Sequence, residues 1–459
     1  MNIISTFNDS LYGEISFPQL IAKCLASPEI IRLKDIRLSN INCDQTPGLS
    51  NTSRFEHIIG CTYLAYIFAK NNNFSERDIY ELCVAAMYHD VATPPFGHSF
   101  ELVLSGFNHE IETRNIIMGS GSNLWKSPYE NQYFQGSYPK LPEIISSYNR
   151  NVKERLSLER IAEYTIGKGK FGSLIKNDID LDNLDNIIRA AFYSGIKVDK
   201  DLPVRIVNRS KLDERGNLVL AAHDKELIDL WKQAKYLLYD MFLNNKHDLV
   251  KELYLQYIFK IALDLNVLTQ EDWGLSDRQI ITKLVQHSET AELYKKLETN
   301  RLPIILMEGW CFEKDYLAWS KKNTKNIEKA MFDLKKVFSQ KKQDSNFICA
   351  IKKDRRYTKL KNVIFEDKPY LFGKATALGK LGSPERKYFI YIFIDGYMPS
   401  KLDRNKNPIM ISGQPVKMNK KEVVDKIIDY FTDSGLKINL TYKLSEKGEP
   451  LIYEKTLPN

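Results

Sequence analysis

The spacing of apolar residues divides the chain into two regions. Over the first 300 residues, apolar positions recur at the three-to-four-residue interval of helices that bury one face. Segments with this pattern are Phe55–Ala69, Ile79–Tyr88, Leu158–Tyr164, Leu184–Tyr193 and Leu227–Phe242. Two more helices are predicted, over Leu249–Leu263 and after Ser276. The pattern predicts a mainly helical domain over residues 1–300.

Turn and cap residues place some boundaries inside this region. Ser75 followed by Asp78 is typical of the first turn of a helix, here the helix that ends near Tyr88. Between Leu202 and Ala221 the pattern changes to two short apolar runs, Leu202–Val207 and Leu218–Ala221. They flank a turn-forming Asp-Glu-Arg-Gly sequence, which predicts a small β-hairpin.

After residue 300 the pattern changes again. A lysine-rich helix is predicted over Asp315–Lys342, and three β-prone segments follow it, Asn346–Ile351, Asn362–Glu366 and Tyr388–Ile394. A helix over Lys420–Phe431 and a strand over Leu436–Lys443 complete the chain. We therefore expect an α+β domain over residues 301–459, after the helical domain.

Charge supports the same division. The net charge of +8 is the sum of 34 Lys/Arg against 39 Asp/Glu in residues 1–300 and 32 against 19 in residues 301–459. Charges of opposite sign suggest domains with different partners.

No uninterrupted run of about 18 apolar residues is present, and the first 18 residues lack the basic start and apolar stretch of a signal peptide. We therefore expect a cytoplasmic protein without a membrane segment.

The spacing of the six cysteines disfavours two kinds of site. They are scattered along the chain without a Cys-x-x-Cys pair. That spacing suits neither a disulfide framework nor a cysteine-based zinc site. We expect reduced, mostly buried thiols.

Histidine is concentrated in one part of the chain. Four of the seven histidines, His57, His89, His98 and His109, fall within 53 residues, and Asp90 follows His89 directly. Imidazole and carboxylate together are suitable ligands for Mn²⁺, Fe²⁺, Co²⁺, Ni²⁺, Zn²⁺ or Mg²⁺. This grouping predicts one divalent metal per active site.

A further carboxylate ligand must come from elsewhere, and the acidic run from Asp178 to Asp185 is the natural source. It enters a helix whose apolar face packs on the core, so a carboxylate near the start of that helix can point inward. Acidic runs are more often solvated surfaces, and single histidines such as His223, His247 and His287 are usually satisfied polar residues. The His-Asp pair and the Pro-Pro-Phe-Gly-His turn after it favour a metal site.

Four ordered blocks of sequence stand out, Arg54-Phe55-Glu56-His57, the segment His89–Glu101, His109-Glu110 and Asp180-Leu181-Asp182. Together they resemble a known family, the HD-domain deoxynucleoside triphosphate triphosphohydrolases. The upstream stretch from Pro28 to Gly48 fits the same pattern, and the resemblance weakens toward residue 300. It implies an HD-domain helical phosphohydrolase core and a metal held by His57, His89, Asp90 and Asp182.

The resemblance also implies catalytic roles. His98 and His109 would lie beside the scissile phosphate, Glu101 would orient a histidine, and Arg54 would hold phosphate oxygens. The implied reaction cleaves a dNTP to deoxynucleoside and triphosphate. Histidine, with an ordinary pKa near 6.5, can protonate the leaving 5′ oxygen at neutral pH.

This chain departs from the family pattern in the substrate pocket. Ala92 and Thr93 stand where the family has Gly-His, so one pocket histidine is missing. The family's lysine, tyrosine and aspartate after the last metal ligand are Asn183, Asn186 and Ala190 here, while Arg189 fits. Lys235 and Tyr239 lie near the family's substrate-facing arginine and histidine. We therefore predict that the substrate contacts are Arg54, Asn183, Asn186, Lys235 and Tyr239.

The basic C-terminal region allows three interpretations. Lysine and arginine are interleaved there with aromatics, and the set comprises Lys321, Lys322, Lys325, Lys329, Lys335, Lys336, Lys341, Lys342, Lys352, Lys353, Arg355, Arg356, Lys359 and Lys361. The region could bind nucleic acid, form an inter-subunit nucleotide effector site, or be a solvated face that balances the acidic half. The resemblance favours a homo-oligomer, a tetramer or hexamer.

Three functions follow from these observations. The leading hypothesis is a metal-dependent dNTP triphosphohydrolase with a nucleotide substrate. The second keeps the metal chemistry but acts as a nuclease or phosphodiesterase on another nucleotide or on nucleic acid, because the sugar and phosphate contacts are altered. The third is a non-catalytic nucleotide or nucleic-acid sensor, which the loss of a histidine at Thr93 suggests.

Overall fold

The computed structural model describes residues 5–120, 139–214, 216–321, 346–356, 363–365, 387–395, 420–444 and 450–452. The chain forms two compact units. The first holds the described elements up to residue 295 together with the strand Val363–Phe365, and the second holds the remaining described elements. The strand Val363–Phe365 thus belongs to the first unit although it follows residue 300 in the sequence. The division into domains of residues 1–300 and 301–459 stays a prediction.

The first unit is mainly helical. Its longer helices are Arg54–Asn71, Glu76–Tyr88, His109–Met118, Leu141–Asn149, Leu158–Thr165, Leu181–Tyr193, Leu202–Arg209, Lys225–Asn244, Lys246–Asp264, Asp277–Gln286 and Ser288–Glu298. Short helical segments are Gln19–Leu25, Pro28–Ile31, Arg32–Asp35, Pro47–Asn51, His98–Glu101, Gly172–Ile175, Ala222–Asp224 and Gln270–Gly274. The helices that the apolar spacing predicts are all present, extended at their ends by up to three residues.

Hydroxyl and carboxylate caps set several helix starts. Ser75 accepts a hydrogen bond from the Asp78 amide over 3.2 Å, which confirms the start signal in the sequence. Ser276 accepts from the Gln279 amide in a capping box, as expected. Asp180 caps the helix Leu181–Tyr193 by accepting from the Asn183 amide over 2.6 Å. This last cap fixes where the acidic run becomes helical.

The predicted β-hairpin is correct in place but wrong in its first strand. Residues Leu202–Arg209 form a helix with Pro203 in its first turn, and the strand that pairs is Lys211–Leu212. The buried residues Leu202, Ile206 and Val207 lie at helical spacing, so one helical face buries them together. The hairpin is closed by Lys211–Leu212 and Leu218–Leu220, and Val363–Phe365 adds a parallel strand to the latter.

The His57 helix, Arg54–Asn71, packs between Glu76–Tyr88 and Leu181–Tyr193. Gly60 makes the second of these contacts possible, because a Cβ there would overlap the Asp185 carboxylate and the Arg189 guanidinium. This close approach brings the His57 helix and the acidic run together, and it determines the position of the candidate site.

The second unit is built on an antiparallel sheet. Its five strands are Ile304–Phe312, Asn346–Lys353, Lys387–Asp395, Asn439–Leu444 and Pro450–Ile452. Across the sheet they lie in the order Pro450–Ile452, Asn439–Leu444, Ile304–Phe312, Lys387–Asp395 and Asn346–Lys353. The helix Lys420–Asp433 packs on it, and the shared core contains Ile390, Ile427 and Phe431. In the first unit, the strands Thr6–Asp9 and Gly13–Ser16 form a separate antiparallel pair. The fold is mainly α with a C-terminal α+β unit, as predicted.

Most of the basic C-terminal segment lies outside the described residues. Of the predicted helix Asp315–Lys342, the structure describes a helical start over residues 313–321, and residues 322–345 and 357–362 are outside it. The role of this basic segment as an effector or nucleic-acid site, like the oligomeric state, stays a prediction.

Among the described helices, none has the length and apolar composition needed to cross a bilayer. All six cysteines are free, and five of them are buried, as expected.

Candidate metal centre and active site

His57 is held in place by a carboxylate behind it. Its Nδ1 lies 2.7 Å from Asp185 Oδ2, and the imidazole is 1% exposed. Because the carboxylate can only accept, Nδ1 carries the hydrogen and Nε2 presents its lone pair. On that side Asp182 Oδ1 lies 3.1 Å away.

His89 shows the same arrangement at the end of the helix Glu76–Tyr88. Its Nδ1 donates to the Ala86 carbonyl over 2.8 Å, so Nε2 again presents a lone pair. This buried Nε2 has no hydrogen-bond partner among the described residues. It lies 3.6 Å from Asp182 Oδ1 and 3.8 Å from Asp90 Oδ1.

The two imidazoles therefore aim acceptor atoms at carboxylates. The rings are 5.5 Å apart and nearly perpendicular, with Asp182 Oδ1 within reach of both. Lone pairs and carboxylate oxygens repel one another, so this buried group requires a positive charge, either added protons or a cation. The donor set and its orphaned nitrogen fit a divalent metal.

The pKa values express the same conflict. Burial by itself lowers the pKa of His57, but hydrogen bonds to Asp182 and Asp185 and their charges outweigh it and raise the pKa to about 9. For His89, burial is likewise outweighed, by the negative charges of Asp90 and Asp182, which raise the pKa to about 10. Although burial opposes it, the two histidines hold the pKa of Asp182 well below its usual range.

Arg54 pairs with Asp90 at the edge of this group. Burial would raise the pKa of the Asp90 carboxyl, but the Arg54 guanidinium and then His89 lower it. The other Asp90 oxygen faces His89. The predicted phosphate-binding arginine is thus next to the predicted metal ligands and bonded to one of them.

Cys61 is a member of this cluster that sequence reasoning missed. Its Sγ lies 3.6 Å from each ring nitrogen of His57, and one ligand atom each from His57, Cys61 and His89 lie within 4.8 Å of one another. The signal in the sequence is its position, four residues after His57 on the same helix face.

Asp185 and Arg189 form the buried support of the cluster and were not predicted as functional partners of His57. Arg189 pairs with Asp185 over 2.8 Å and with Asp9 and Glu56 over 2.9 Å. Burial would raise the pKa of Asp185, but Arg189 and His57 lower it to about 2. Spacing offers a signal here, since Asp182, Asp185 and Arg189 lie at intervals of three and four along one helix.

Glu101 accepts hydrogen bonds from the other two predicted site histidines, His98 and His109. Its two oxygens accept from His98 Nδ1 over 2.8 Å and from His109 Nδ1 over 2.9 Å, which leaves Nε2 of each ring as the nitrogen that can meet a substrate. Burial is outweighed by these bonds, and the pKa of Glu101 lies well below its usual range. The turn before His98 contains Gly97 at φ +51°, where a Cβ would meet Asn40 and Arg54.

A cavity of about 110 Å³ opens beside this group. The described residues that line it are His89, Asp90, His109, Glu110, Thr113, Thr165, Ile166, Ile175, Lys176 and Asp182. Lys176, which sequence reasoning did not single out, pairs with Glu110 at this cavity. Predicted metal ligands, a predicted proton donor and a lysine thus share one space.

The predicted substrate contacts are not among the described residues that line this cavity. Asn183 donates to Asp180 over 3.0 Å and to the Asn177 carbonyl over 3.2 Å, so its amide serves the helix start. The Lys235 ammonium lies 5.2 Å from the Trp231 ring and 6.0 Å from the Tyr239 ring. Among the described lining residues, Arg54, Asn183, Asn186, Lys235 and Tyr239 are absent, and their substrate roles stay predictions.

Comparison with known proteins finds a family match in part of the chain. Residues 54–136, which include three of the four predicted metal ligands, match the model of the HD domain family. This segment therefore has the pattern of an HD domain, and the chain is similar to deoxynucleoside triphosphate triphosphohydrolases, as the sequence motifs indicate.

The similarity to curated proteins is partial. The chain is 27% identical over 274 residues to Deoxynucleoside triphosphate triphosphohydrolase SAMHD1 of Gallus gallus, a match of 52% of this chain and 41% of the relative. The chain thus spans about two fifths of the length of the curated relatives it matches, among them the human protein at 26% identity.

Solved structures share the fold at lower identity. A phosphohydrolase from Bacteroides thetaiotaomicron aligns with TM-score 0.60 at 15% identity, covering 84% of this chain and 99% of its own. A hypothetical protein from Aquifex aeolicus aligns with TM-score 0.58 at 18% identity, covering 84% and 96%. At these identities the likeness shows the fold.

Proposed function

We propose that this protein is a metal-dependent phosphohydrolase that cleaves deoxynucleoside triphosphates to deoxynucleoside and triphosphate. One observation carries the proposal: two buried imidazoles, each fixed at Nδ1, aim their Nε2 atoms at the carboxylate of Asp182. His57, His89, Asp90 and Asp182 hold the metal.

When bound, the metal polarises a phosphoryl group and lowers the pKa of a water molecule. The protein's own groups do the rest. His57 and His89 are locked in the ligating tautomer by Asp185 and by the Ala86 carbonyl. Arg54 orients Asp90. Burial keeps these groups in a single geometry.

Proton transfer is assigned to His109, with His98 beside it. Glu101 accepts from Nδ1 of both rings, and this orients Nε2 of His109 toward the cavity that His89 and Asp182 also line. An imidazolium there can donate a proton to the leaving 5′ oxygen. Lys176 offsets charge on the triphosphate from the same cavity.

The choice of a dNTP rests on the relatives. The curated relatives from Gallus gallus and Homo sapiens are named as deoxynucleoside triphosphate triphosphohydrolases. The test is incubation of the full chain with each dNTP and Mn²⁺ or Mg²⁺, with products identified by mass. Triphosphate and deoxynucleoside are expected. If neither forms with any divalent metal, the proposal fails.

The catalytic role of His109 is tested by comparing the turnover of a His109 variant with that of a control variant at an exposed histidine. His109→Ala is expected to reduce turnover at least ~100-fold, the contribution of a general acid. His223→Ala, at an imidazole that is 74% exposed, is the control and should behave as wild type. Unchanged turnover in His109→Ala removes the proton-donor assignment.

A second candidate is hydrolysis of another nucleotide or of a nucleic-acid phosphodiester. The placement of Asn183 and Lys235 favours it, because both are engaged away from the cavity rather than lining it. Release of mononucleotides from DNA or RNA, without triphosphate from dNTPs, would support this candidate over the first.

A further inference from the structure

We propose that Asp277 is a positioning residue for the reaction, because it holds the strained turn before His98 and so keeps His98 and His109 in place beside the metal centre. The inference rests on the proposed function and deepens it by naming a residue that acts through the turn. Asp277 is 181 residues from Phe96, its contact in the turn, along the sequence.

The turn between Asp90 and His98 has an uncommon backbone conformation. Phe96 has φ +56° and Gly97 has φ +51°, so two consecutive residues have positive φ. For a residue with a bulky side chain this conformation is strained, and it persists where the surrounding structure holds it. The strained residue lies directly before the turn reaches His98, so the contacts that hold Phe96 also determine where His98 lies.

Asp277 supplies the contact that fixes Phe96. Its Oδ1 accepts a hydrogen bond from the Phe96 amide over 2.8 Å, and the residue is 4% exposed. Its Oδ2 accepts from the Arg37 amide over 3.2 Å and from Arg37 Nε over 2.8 Å. The Arg37 guanidinium in turn lies 5.3 Å from the centroid of the Phe96 ring. The carboxylate and the guanidinium thus hold both the backbone and the ring of Phe96.

The position of Asp277 is set by the helix that it begins. Asp277 is the first residue of the helix Asp277–Gln286, and Ser276 caps this helix by accepting from the Gln279 amide. A negative charge is favourable in the first turn of a helix, next to the positive end of the helix dipole. The capped helix start therefore gives the carboxylate a fixed place from which it holds the turn.

Arg32 ties the other end of the turn to the same part of the chain. Its guanidinium donates to the Leu275 carbonyl over 2.9 Å, and the residue is fully buried. It also donates to the carbonyls of Val91 and Thr93, over 2.9 and 2.8 Å. Val91 directly follows Asp90, a proposed metal ligand. Both ends of the turn are therefore anchored to one short segment at the start of the Asp277 helix.

The effect of the turn reaches the reacting groups through Glu101. His98 Nδ1 donates to one oxygen of Glu101 over 2.8 Å, and His109 Nδ1 donates to the other over 2.9 Å. A displaced turn would therefore move His98 and, through Glu101, the proposed proton donor His109. Misplacement by about 1 Å can cost about 100-fold in rate. Asp277 acts on these groups through Phe96, which makes it a positioning residue rather than a catalytic one.

The test compares two buried carboxylates. Asp277→Asn is expected to lower kcat at least ~10-fold and to change KM and metal affinity less than ~3-fold, because an amide can accept from only one of the two groups that the carboxylate holds. The control is Asp272→Asn, in the segment Gln270–Gly274, where the carboxylate pairs with Lys283 over 2.7 Å. The control should keep kcat even if its melting temperature falls as far. Equal losses of kcat in the two variants, or an unchanged kcat in Asp277→Asn, overturn the inference.

A second readout does not depend on hydrolysis. Labelling with [13Cε1]histidine gives one NMR signal for each of the seven imidazoles of the full chain, and His→Ala variants assign them. The signals of His98 and His109 are expected to move in Asp277→Asn and to stay in Asp272→Asn. The signal of His223, which is 74% exposed, is the internal reference. Unchanged His98 and His109 signals in Asp277→Asn overturn the inference.

A partner variant covers the case in which Asp277→Asn does not fold. The Arg37 side chain is 21% exposed, so Arg37→Ala removes one support of the carboxylate at the edge of the core. It should move the same two histidine signals and lower kcat by at least ~3-fold. Wild-type signals and turnover in Arg37→Ala overturn the inference.

The outcomes distinguish this inference from the proposed function. If wild type hydrolyses no nucleotide while the two histidine signals move in Asp277→Asn, the proposed reaction fails and Asp277 still positions the imidazoles. If wild type hydrolyses dNTPs and Asp277→Asn does so equally well, the positioning role fails and the proposed function stands.

Discussion

His57 Nδ1 donates to Asp185 over 2.7 Å across 128 residues of sequence, and Arg189 holds the same carboxylate from behind over 2.8 Å. This relationship fixes which nitrogen of His57 can meet a metal. In the proposed centre, the helix Leu181–Tyr193 carries three of the residues involved. Asp182 is a proposed metal ligand, while Asp185 and Arg189 orient its partner His57.

Removing the charge of Asp185 tests this support. Asp185→Asn is expected to weaken metal binding about 10- to 100-fold, because the tautomer of His57 is no longer fixed. Asp199→Asn, at a half-exposed ion pair with Arg205, is the matched control and should bind metal like wild type. Isothermal titration with Mn²⁺ and Zn²⁺ measures both, and equal affinities in the two variants would contradict the assignment.

Asp182 is the carboxylate that both imidazoles share. Asp182→Asn should remove bound metal and lower hydrolysis at least ~100-fold, since a metal contributes several kcal/mol to the transition state. Asp178→Asn, in the same acidic run, is the control. Metal content and turnover are measured together, and retained metal in the Asp182 variant would exclude it as a ligand.

Metal binding should depend steeply on pH. In the metal-free chain the pKa values of His57 and His89 are raised to about 9 and about 10, so at neutral pH each holds a proton that the metal must displace. Two protons should leave per metal near pH 7.5, and affinity should rise up to about 100-fold per pH unit until about pH 9. Proton release in weakly buffered titrations checks this, and a pH-independent affinity would contradict it.

The same shifts predict the stability of the metal-free chain. Because both folded-state pKa values lie above the ordinary 6.5, the protonated imidazoles stabilise the fold fully below pH 6.5. That contribution declines as the pH rises above 6.5 and is lost above the folded-state pKa values of about 9 and about 10, so the melting temperature should fall between about pH 6.5 and 10. Bound metal should remove the decrease, which thermal unfolding with and without Zn²⁺ tests.

Lys176 should contribute to nucleotide binding. Lys176→Ala is expected to raise KM about 10-fold with a smaller change in kcat, the cost of one charge-assisted hydrogen bond to phosphate. Lys170→Ala, at a half-exposed lysine that pairs with Asp78 over 2.7 Å, is the control. An unchanged KM in the Lys176 variant would place the triphosphate outside this cavity.

Gly60 sets the distance between two helices. A methyl group there would overlap Asp185 and Arg189, so Gly60→Ala is expected to lower the free energy of unfolding by about 1–3 kcal/mol, as overpacked cores do. Denaturant titration measures this change. A stable variant with wild-type metal affinity would mean that the helices adjust without moving Asp185.

The sequence by itself determined the elements and the chemistry that neighbouring residues carry. Apolar spacing predicted the helices around the site, because burial of one helical face imposes that spacing. The blocks from Arg54 to Asp182 indicated the family and the metal ligands. The same spacing misled at Leu202–Arg209, where a short apolar run fits a strand or a helix and the burial of Ile206 and Val207 decided for a helix.

The tertiary structure alone decided which distant groups meet. Asp185 behind His57, Cys61 against His89 and Lys176 at the cavity are each separated by many residues from some of their partners, so no local pattern reveals them. Their meeting depends on the close approach of two helices at Gly60. Periodicity fixes which face a side chain occupies, whereas the packing of helices fixes what that face contacts.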